Sequence, residues 1–267
     1  MQFTPWRASP NPASIVASSH YLRSVRLERE RVPSFGEYPF SLPAVRGLHR
    51  MDFHPEVTFL IGENGSGKST LLEAIAVGCG FNPEGGPGHL NFATRPTHSG
   101  LSRYIDLGRG ARANDGYFLR AESFYNVATR VEEVDAADFT TLPPLGRPIR
   151  EFYGDRPLHE QSHGESFFAL LTERFGGGGL YILDEPEAAL SPVRQMAALV
   201  RIRDLVRMRS QFVIATHSPI LMAYPGARIL QLGDGEIREV AYEETEHYVV
   251  TRAFLNNPEG MLRELMS

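Results

Sequence analysis

Eight consecutive residues, Gly62-Glu63-Asn64-Gly65-Ser66-Gly67-Lys68-Ser69, meet the spacing G-x-x-x-x-G-K-[ST], with Thr70 directly behind them. Glycines at these positions let backbone N–H groups converge on phosphate oxygens. A lysine in the seventh place reaches the β and γ phosphates, and the following hydroxyl can ligate Mg²⁺. Gly62 to Thr70 therefore reads as a cradle for ATP with Mg²⁺, Lys68 acting on the transferred phosphoryl group and Ser69 on the metal. The bland alternative is a glycine-rich link between strand and helix; the flanking pattern described below favours the cradle.

Phosphoryl transfer also needs a second metal anchor and a group that orients the attacking water. Asp184-Glu185 supplies both: Asp184 as the metal ligand, directly or through water, and Glu185 as the residue that polarises the nucleophile. Acids are common where a strand emerges into a turn, so this pair gains its meaning from the loop at Gly62. His217, in Thr216-His217-Ser218-Pro219, follows another apolar run and can touch a γ-phosphate, although a single histidine at a strand end is ordinarily a hydrogen-bonded turn residue.

One motif competes. His159-Glu160-Gln161-Ser162-His163 fits H-E-x-x-H, which on one continuous helix sets two imidazoles on one face for zinc. Here Pro157 precedes it and Gly164 follows. Ser162 with Glu165 three residues on forms a capping box, which starts a helix near His163 and leaves His159 outside. The zinc reading is the weaker one.

These residues need elements to hold them. Val57-Thr58-Phe59-Leu60-Ile61 is short, β-branched and stopped by Gly62, as a buried strand would be, and helical composition runs from Ser69 to Val77 before Gly78. Tyr21 to Leu27 alternates as a half-buried strand, and Tyr117 to Arg120 reads as another. Downstream, a helix carries Phe167, Phe168, Leu171 and Phe175. Leu180–Leu183 forms a strand, Ser191 caps a helix from Pro192 to about Met208, and Phe212–Ala215 is the next strand. Gly233-Asp234-Gly235 turns a hairpin between 229–232 and 236–240. Alternating strands and helices imply an α/β P-loop fold with a mixed central sheet and antiparallel additions. The whole is expected to be one domain over 1–267, with a loosely packed segment 1–19, an irregular insertion 80–116 and a C-terminal extension 245–267.

Composition narrows the setting. With 27 Lys+Arg against 32 Asp+Glu the net charge is -5, which disfavours global attraction to nucleic acid or anionic lipid. A single cysteine, Cys79, rules out a disulfide framework within the chain, and no apolar run has the length to span a bilayer. A cytoplasmic protein without membrane insertion is the expectation.

Gly62 to Ser69, Gln161-Ser162-His163-Gly164-Glu165, Leu183-Asp184-Glu185-Pro186, Ala189-Leu190-Ser191 and Thr216-His217-Ser218 together resemble, in order and spacing, the motifs of ATP-binding-cassette (ABC) ATPases. The resemblance covers about Tyr21 to Val240 and implies a nucleotide-binding domain with a signature-helix subdomain. The tail from Thr245-Glu246-His247 to Pro258, with Asn91–Arg95 and Arg120–Phe124, looks like a group of compact predicted bacterial AAA-type ATPases. What the resemblance implies is a head-to-head homodimer on ATP, with Ser162, His163, Gly164 and Glu165 of one subunit closing over the γ-phosphate held by Lys68 of the other. ATP would thus switch a protein partner that the sequence does not name.

The chain departs from the family at several places. His163 stands for the first signature glycine, Glu165 for the closing glutamine and Ser191 for the D-loop aspartate. No glutamine follows Arg120, where Glu122 is the nearest polar residue. These departures lead away from typical transporters towards the chromosome-maintenance and DNA-repair branch. Yet roughly ninety residues between Lys68 and Ser162 are too few for that branch's coiled-coil arms. Two further readings stand beside this one. A nucleic-acid module in genome maintenance or defence would use Arg194, Arg201, Arg203, Arg207 and Arg209, and a transporter motor would need a separate permease. Tyr21 and Phe35 are the candidates for stacking on adenine.

Overall fold

The structure, a computed structural model, describes residues 20–87, 99–120, 163–233 and 235–267. Its centre is a seven-stranded sheet in the order β10-β9-β3-β8-β7-β6-β4. The five inner strands, β9 (Arg228–Gly233), β3 (Val57–Ile61), β8 (Gln211–Ala215), β7 (Gly179–Asp184) and β6 (Asp115–Arg120), are parallel. The edges, β10 (Glu236–Glu239) and the two-residue β4 (Gly86–Pro87), pair antiparallel. β3, β7 and β8 are buried along their whole length, as parallel strands covered on both faces must be.

Strand periodicity divides the apolar side chains between two cores. Phe59, Tyr181, Leu183, Phe212 and Ile214 face one side, where α3 (His163–Ala169), its continuation Leu170–Arg174 and α4 (Pro192–Arg207) pack. Leu60, Ile182, Val213 and Ala215 face the other, shared with α2 (Lys68–Cys79) and a second, antiparallel sheet β2-β1-β5. That sheet is built from β1 (Leu22–Leu27), β2 (Arg50–Asp52) and β5 (Ile105–Arg109). A short helix α1 (Pro43–Arg46) lies between β1 and β2 in the chain. After β8 come α5 (Pro219–Met222), the β9–β10 hairpin, α6 (Glu246–Asn256) and α7 (Pro258–Leu265).

Most expected elements are present, with three differences. The insertion expected to be irregular over 80–116 contains β5, whose Ile105 and Leu107 turn inward against the second core. The helix after the phosphate loop does not stop at Gly78. Leu107 Cδ1 would lie 2.8 Å from a Cβ there, so that glycine serves close packing, and the helix ends at Gly80 in the left-handed region at φ 95°. The helix carrying Phe167 tightens into α3 and then widens into a π turn over Leu170–Arg174. The segment 1–19, the stretch with Asn91–Arg95, Glu122, and His159 through Ser162 with its cap lie outside the described residues.

Candidate active site

The register of the sheet assembles the site. Arg120 pairs with Asp184, Asp184 with Ala215, Ala215 with Leu60 and Leu60 with Leu230, so one row crosses five parallel strands at their carboxyl ends. Within two residues beyond this row come Gly62, Glu185 and His217. Ligands collect at this edge of open α/β sheets, where loops leave the strands and helix N-termini point inward.

Leaving β3, the chain turns at Gly62 with φ 152°; a Cβ there would meet the Leu232 carbonyl oxygen at 2.1 Å, so only glycine fits. Lys68 folds back over the loop and its Nζ donates to the carbonyls of Gly62 and Glu63, each at 2.8 Å. Burial lowers the Lys68 pKa from its ordinary value, with Glu185, Asp184 and Glu187 opposing that shift. Ser66 Oγ is buried in the loop without a hydrogen-bond partner, an orphan that a phosphate oxygen would satisfy.

Ser69 Oγ donates to Asp184 Oδ1 at 3.1 Å, although 115 positions separate the two. Two hard oxygen donors at this spacing suit a Mg²⁺ ion that keeps most of its water. Asp184 Oδ2 lies 3.8 Å from Arg120 Nε, and Arg120 is itself held by Glu73 at 2.7 Å. Among the described residues no group of three or more His, Cys, Asp or Glu side chains is placed to hold a metal.

Glu185 adopts the left-handed conformation at φ 49°, and its N–H donates to Ala215 O at 2.9 Å, which turns its carboxylate out of the strand line. Glu185 Oε1 lies 3.7 Å from His217 Nε2. Behind them, half-buried Glu187 accepts from Thr216 Oγ1 at 2.8 Å and from the His217 N–H at 2.5 Å, so it fixes the backbone that presents the imidazole. Burial raises the Glu187 pKa, against the pull of those bonds. Burial and then Lys68 lower that of His217, with Glu185 opposing. A cleft of about 620 Å³ opens above, lined by Gly62 to Ser66, His217, Gln231 and, from α6, Glu246, His247, Val250 and Thr251.

A family model described as an AAA domain matches residues 35–117, and one described as "AAA domain, putative AbiEii toxin, Type IV TA system" matches 115–223. The macrolide export ATP-binding/permease protein MacB of Marinobacter nauticus is 27% identical over 218 residues, 77% of this chain and 33% of that protein. The phosphonates import ATP-binding protein PhnC of Polaromonas sp. is also 27% identical over 218 residues, 73% of this chain and 75% of the relative. The chain thus spans about a third of the length of MacB. In structure, an ATP-binding cassette of an ABC transporter in its ADP conformation superposes with a TM-score of 0.50 at 19% identity, over 84% of this chain and 92% of that one. The SMC head domain from Thermotoga maritima gives 0.42 at 16% identity, over 82% and 98%.

The chain resembles ABC-type ATPases. Its site brings together Gly62 to Thr70, Asp184, Glu185 and His217, as the motif spacing requires. Of the signature segment, His163 and Gly164 open α3, and exposed Glu165 faces Arg194 at 3.5 Å. Tyr21 is removed from the adenine candidates: its hydroxyl donates to Arg209 O at 2.7 Å, at the amino ends of the parallel strands and opposite the loop. Phe35 stays on the loop side, under the Arg29 guanidinium at 4.4 Å from its ring centre and beside Pro43, which borders the cleft.

The arginines of α4 do not form a free stripe. Arg201 donates to the carbonyls of Leu171, Thr172 and Phe175, which the π turn leaves open, while Arg203 pairs with Asp204. Sequence reasoning missed Arg120, Glu73, Glu187 and His247 as site residues. Glu187, two residues past Glu185, carried the nearest signal; the other three are brought in by tertiary contacts. No helix among the described residues is long and apolar enough to cross a membrane.

Proposed function

We propose that this ATPase binds ATP with Mg²⁺ on Gly62 to Thr70, hydrolyses it using Glu185, Lys68 and His217, and dimerises on ATP with two composite sites to switch a protein partner. The observation that carries the reading is the contact between Ser69 Oγ and Asp184 Oδ1 beside Lys68. Mg²⁺ held there would neutralise charge on the β and γ phosphates. Lys68 exchanges its two carbonyl partners for phosphate oxygens, and loop N–H groups and the start of α2 complete the anion receptor. Glu185 takes the proton of the attacking water. His217, its Nε2 3.7 Å from Glu185 Oε1, contacts the γ-phosphate. Phe35 and Arg29 form the platform for the base.

The composite site rests on the family resemblance, with Ser162 to Glu165 of a second copy closing over the phosphates. Support comes from the start of α3, where Glu165 faces Arg194 in the first turn of the helix that follows the Asp184-Glu185 turn. Glu185→Gln with ATP and Mg²⁺ should accumulate dimer by light scattering, and Lys68→Ala should abolish hydrolysis. Monomer only, together with intact hydrolysis in Lys68→Ala, would overturn the mechanism.

The names of the relatives favour a second reading, an ATPase subunit that works with a separate permease. Recovery of the Glu185→Gln protein with a membrane-embedded partner, and its loss on removal of that partner, would decide for it. A nucleic-acid module keeps only Arg207 and Arg209 of its helix without a role in the packing just described, and salt-dependent DNA binding is its test.

A further inference from the structure

The C-terminal extension reaches into the site. Thr245 is fully buried; its Oγ1 donates to Tyr242 O at 2.7 Å and accepts from the Tyr248 N–H at 3.3 Å, so the first turn of α6 is fixed. That turn places His247 on the wall of the loop cleft, with its Nε2 3.1 Å from His217 Nδ1. Two imidazoles at this distance share one proton: one nitrogen donates and the other accepts.

The surroundings decide which. His217 Nε2 faces the Glu185 carboxylate at 3.7 Å, too far for a hydrogen bond, and both it and His247 Nδ1 are buried with no hydrogen-bond partner. Each tautomer leaves one buried N–H without a hydrogen-bond partner, so the carboxylate decides: if His217 donated from Nδ1, its bare Nε2 lone pair would confront Glu185, an electrostatically unfavourable contact. If His247 donates from Nε2, His217 accepts at Nδ1 and carries its proton on Nε2, turned towards Glu185 and the phosphate end of the cleft. Burial holds both rings below the ordinary histidine range, which keeps them neutral and makes the tautomer matter.

We infer that His247 is a positioning residue for hydrolysis: by donating its Nε2–H to His217 Nδ1 it locks His217 as a donor from Nε2, the atom aimed at the γ-phosphate. The inference rests on the role proposed for His217. It makes α6 part of the site, and it gives the extension a chemical duty that the cassette motifs do not include. The logic is that of an orienting group behind a working imidazole, with an imidazole in the place usually taken by a carboxylate or a carbonyl.

The test uses the full chain labelled with ¹⁵N-histidine. Long-range ¹H–¹⁵N correlation spectra should show neutral His217 protonated on Nε2 in the wild type. His247→Ala should give a mixture of tautomers, and His247→Gln, whose amide N–H can replace the donor, should keep the wild-type pattern. Turnover of ATP should fall about tenfold in His247→Ala and return to within about threefold of wild type in His247→Gln, while ATP affinity changes by less than about threefold. In a His217→Ala background, His247→Ala should cost nothing further, because the two act as one unit.

A wild-type His217 protonated on Nδ1 would overturn the inference. So would an equal loss from His247→Ala with and without His217, or a His247→Gln variant as slow as His247→Ala. Failure of the parent reading shows differently: Lys68→Ala and Glu185→Gln would then hydrolyse ATP at the wild-type rate, whatever the spectra say.

Discussion

Gln211, the first residue of β8, is fully buried and ties the second sheet to the first. Its Oε1 accepts from the N–H groups of Tyr21 at 3.0 Å and Leu22 at 2.9 Å, and its Nε2 donates to the carbonyls of Leu22 at 2.8 Å and His54 at 2.9 Å. Gln211→Met keeps length and volume and removes all four bonds. The two Leu22 groups are buried, and each costs about 1–3 kcal/mol when left unsatisfied. The bonds to Tyr21 and His54 are only partly buried, so water replaces them at small cost. The expected loss is therefore about 4 kcal/mol, a large share of the roughly 5–15 kcal/mol that holds a domain together. In urea, at a slope of about 3 kcal/mol/M, the midpoint should fall by about 1.3 M with the slope unchanged. Gln211→Glu should be at least as harmful at neutral pH, because its second oxygen would face the Leu22 and His54 carbonyls. A loss below about 1 kcal/mol for Gln211→Met, at constant slope, would refute the view that this side chain joins the two sheets.

Glu187→Ala should release the Thr216 hydroxyl and the His217 N–H and slow hydrolysis about tenfold, with ATP affinity changed by less than about threefold, measured by steady-state turnover and nucleotide titration. The pKa values of His217 and His247 are lowered by burial, with Lys68, Glu185, Glu187 and Glu246 the charged groups that face them. As pH falls through the unfolded-state value of about 6.5, the unfolded chain takes up protons first, so stability present above that pH is lost towards the folded-state values. Thermal melts should drop between pH 7.5 and 5.5, and less so when both rings are replaced by Gln. Burial pushes the Cys79 thiol up to about 12, so Ellman's reagent at pH 8 should react much more slowly with the native chain than with the urea-unfolded one.

What the sequence displayed was local. The phosphate loop is eight contiguous residues, and the Ser191-Pro192 cap and the run Val57–Ile61 each carry their meaning within a few positions. β5 was hidden because its alternation is only Ile105 and Leu107 amid Gly-rich chain, and its partner β1 lies some eighty residues away in sequence, beyond any periodicity window. Gly78 read as a stop because a glycine's local cost is visible in sequence while the approach of Leu107 is not. Tyr21 and Phe35 looked equivalent as aromatic platforms; the sheet sends one to the amino ends of the strands and the other to the carboxyl ends. The α4 arginines looked like a charged face because nothing local announces the π turn whose carbonyls Arg201 satisfies.

The same contrast explains how the site is specified. Asp184, Ala215, Leu60 and Leu230 align because each strand alternates its apolar residues between two filled cores. A slip of one residue in any strand would send Phe59, Tyr181 or Phe212 into the wrong core, at a cost far above that of any single polar contact. The catalytic row is thus held by side chains that never touch a ligand, and Ser69 meets Asp184 because the cores leave no other register. Residues outside that row, Glu187 from the turn behind β7 and His247 from α6, contact His217 and bear on where its ring points. On this reasoning the strands settle where the phosphates lie, and the extension settles the direction of a proton.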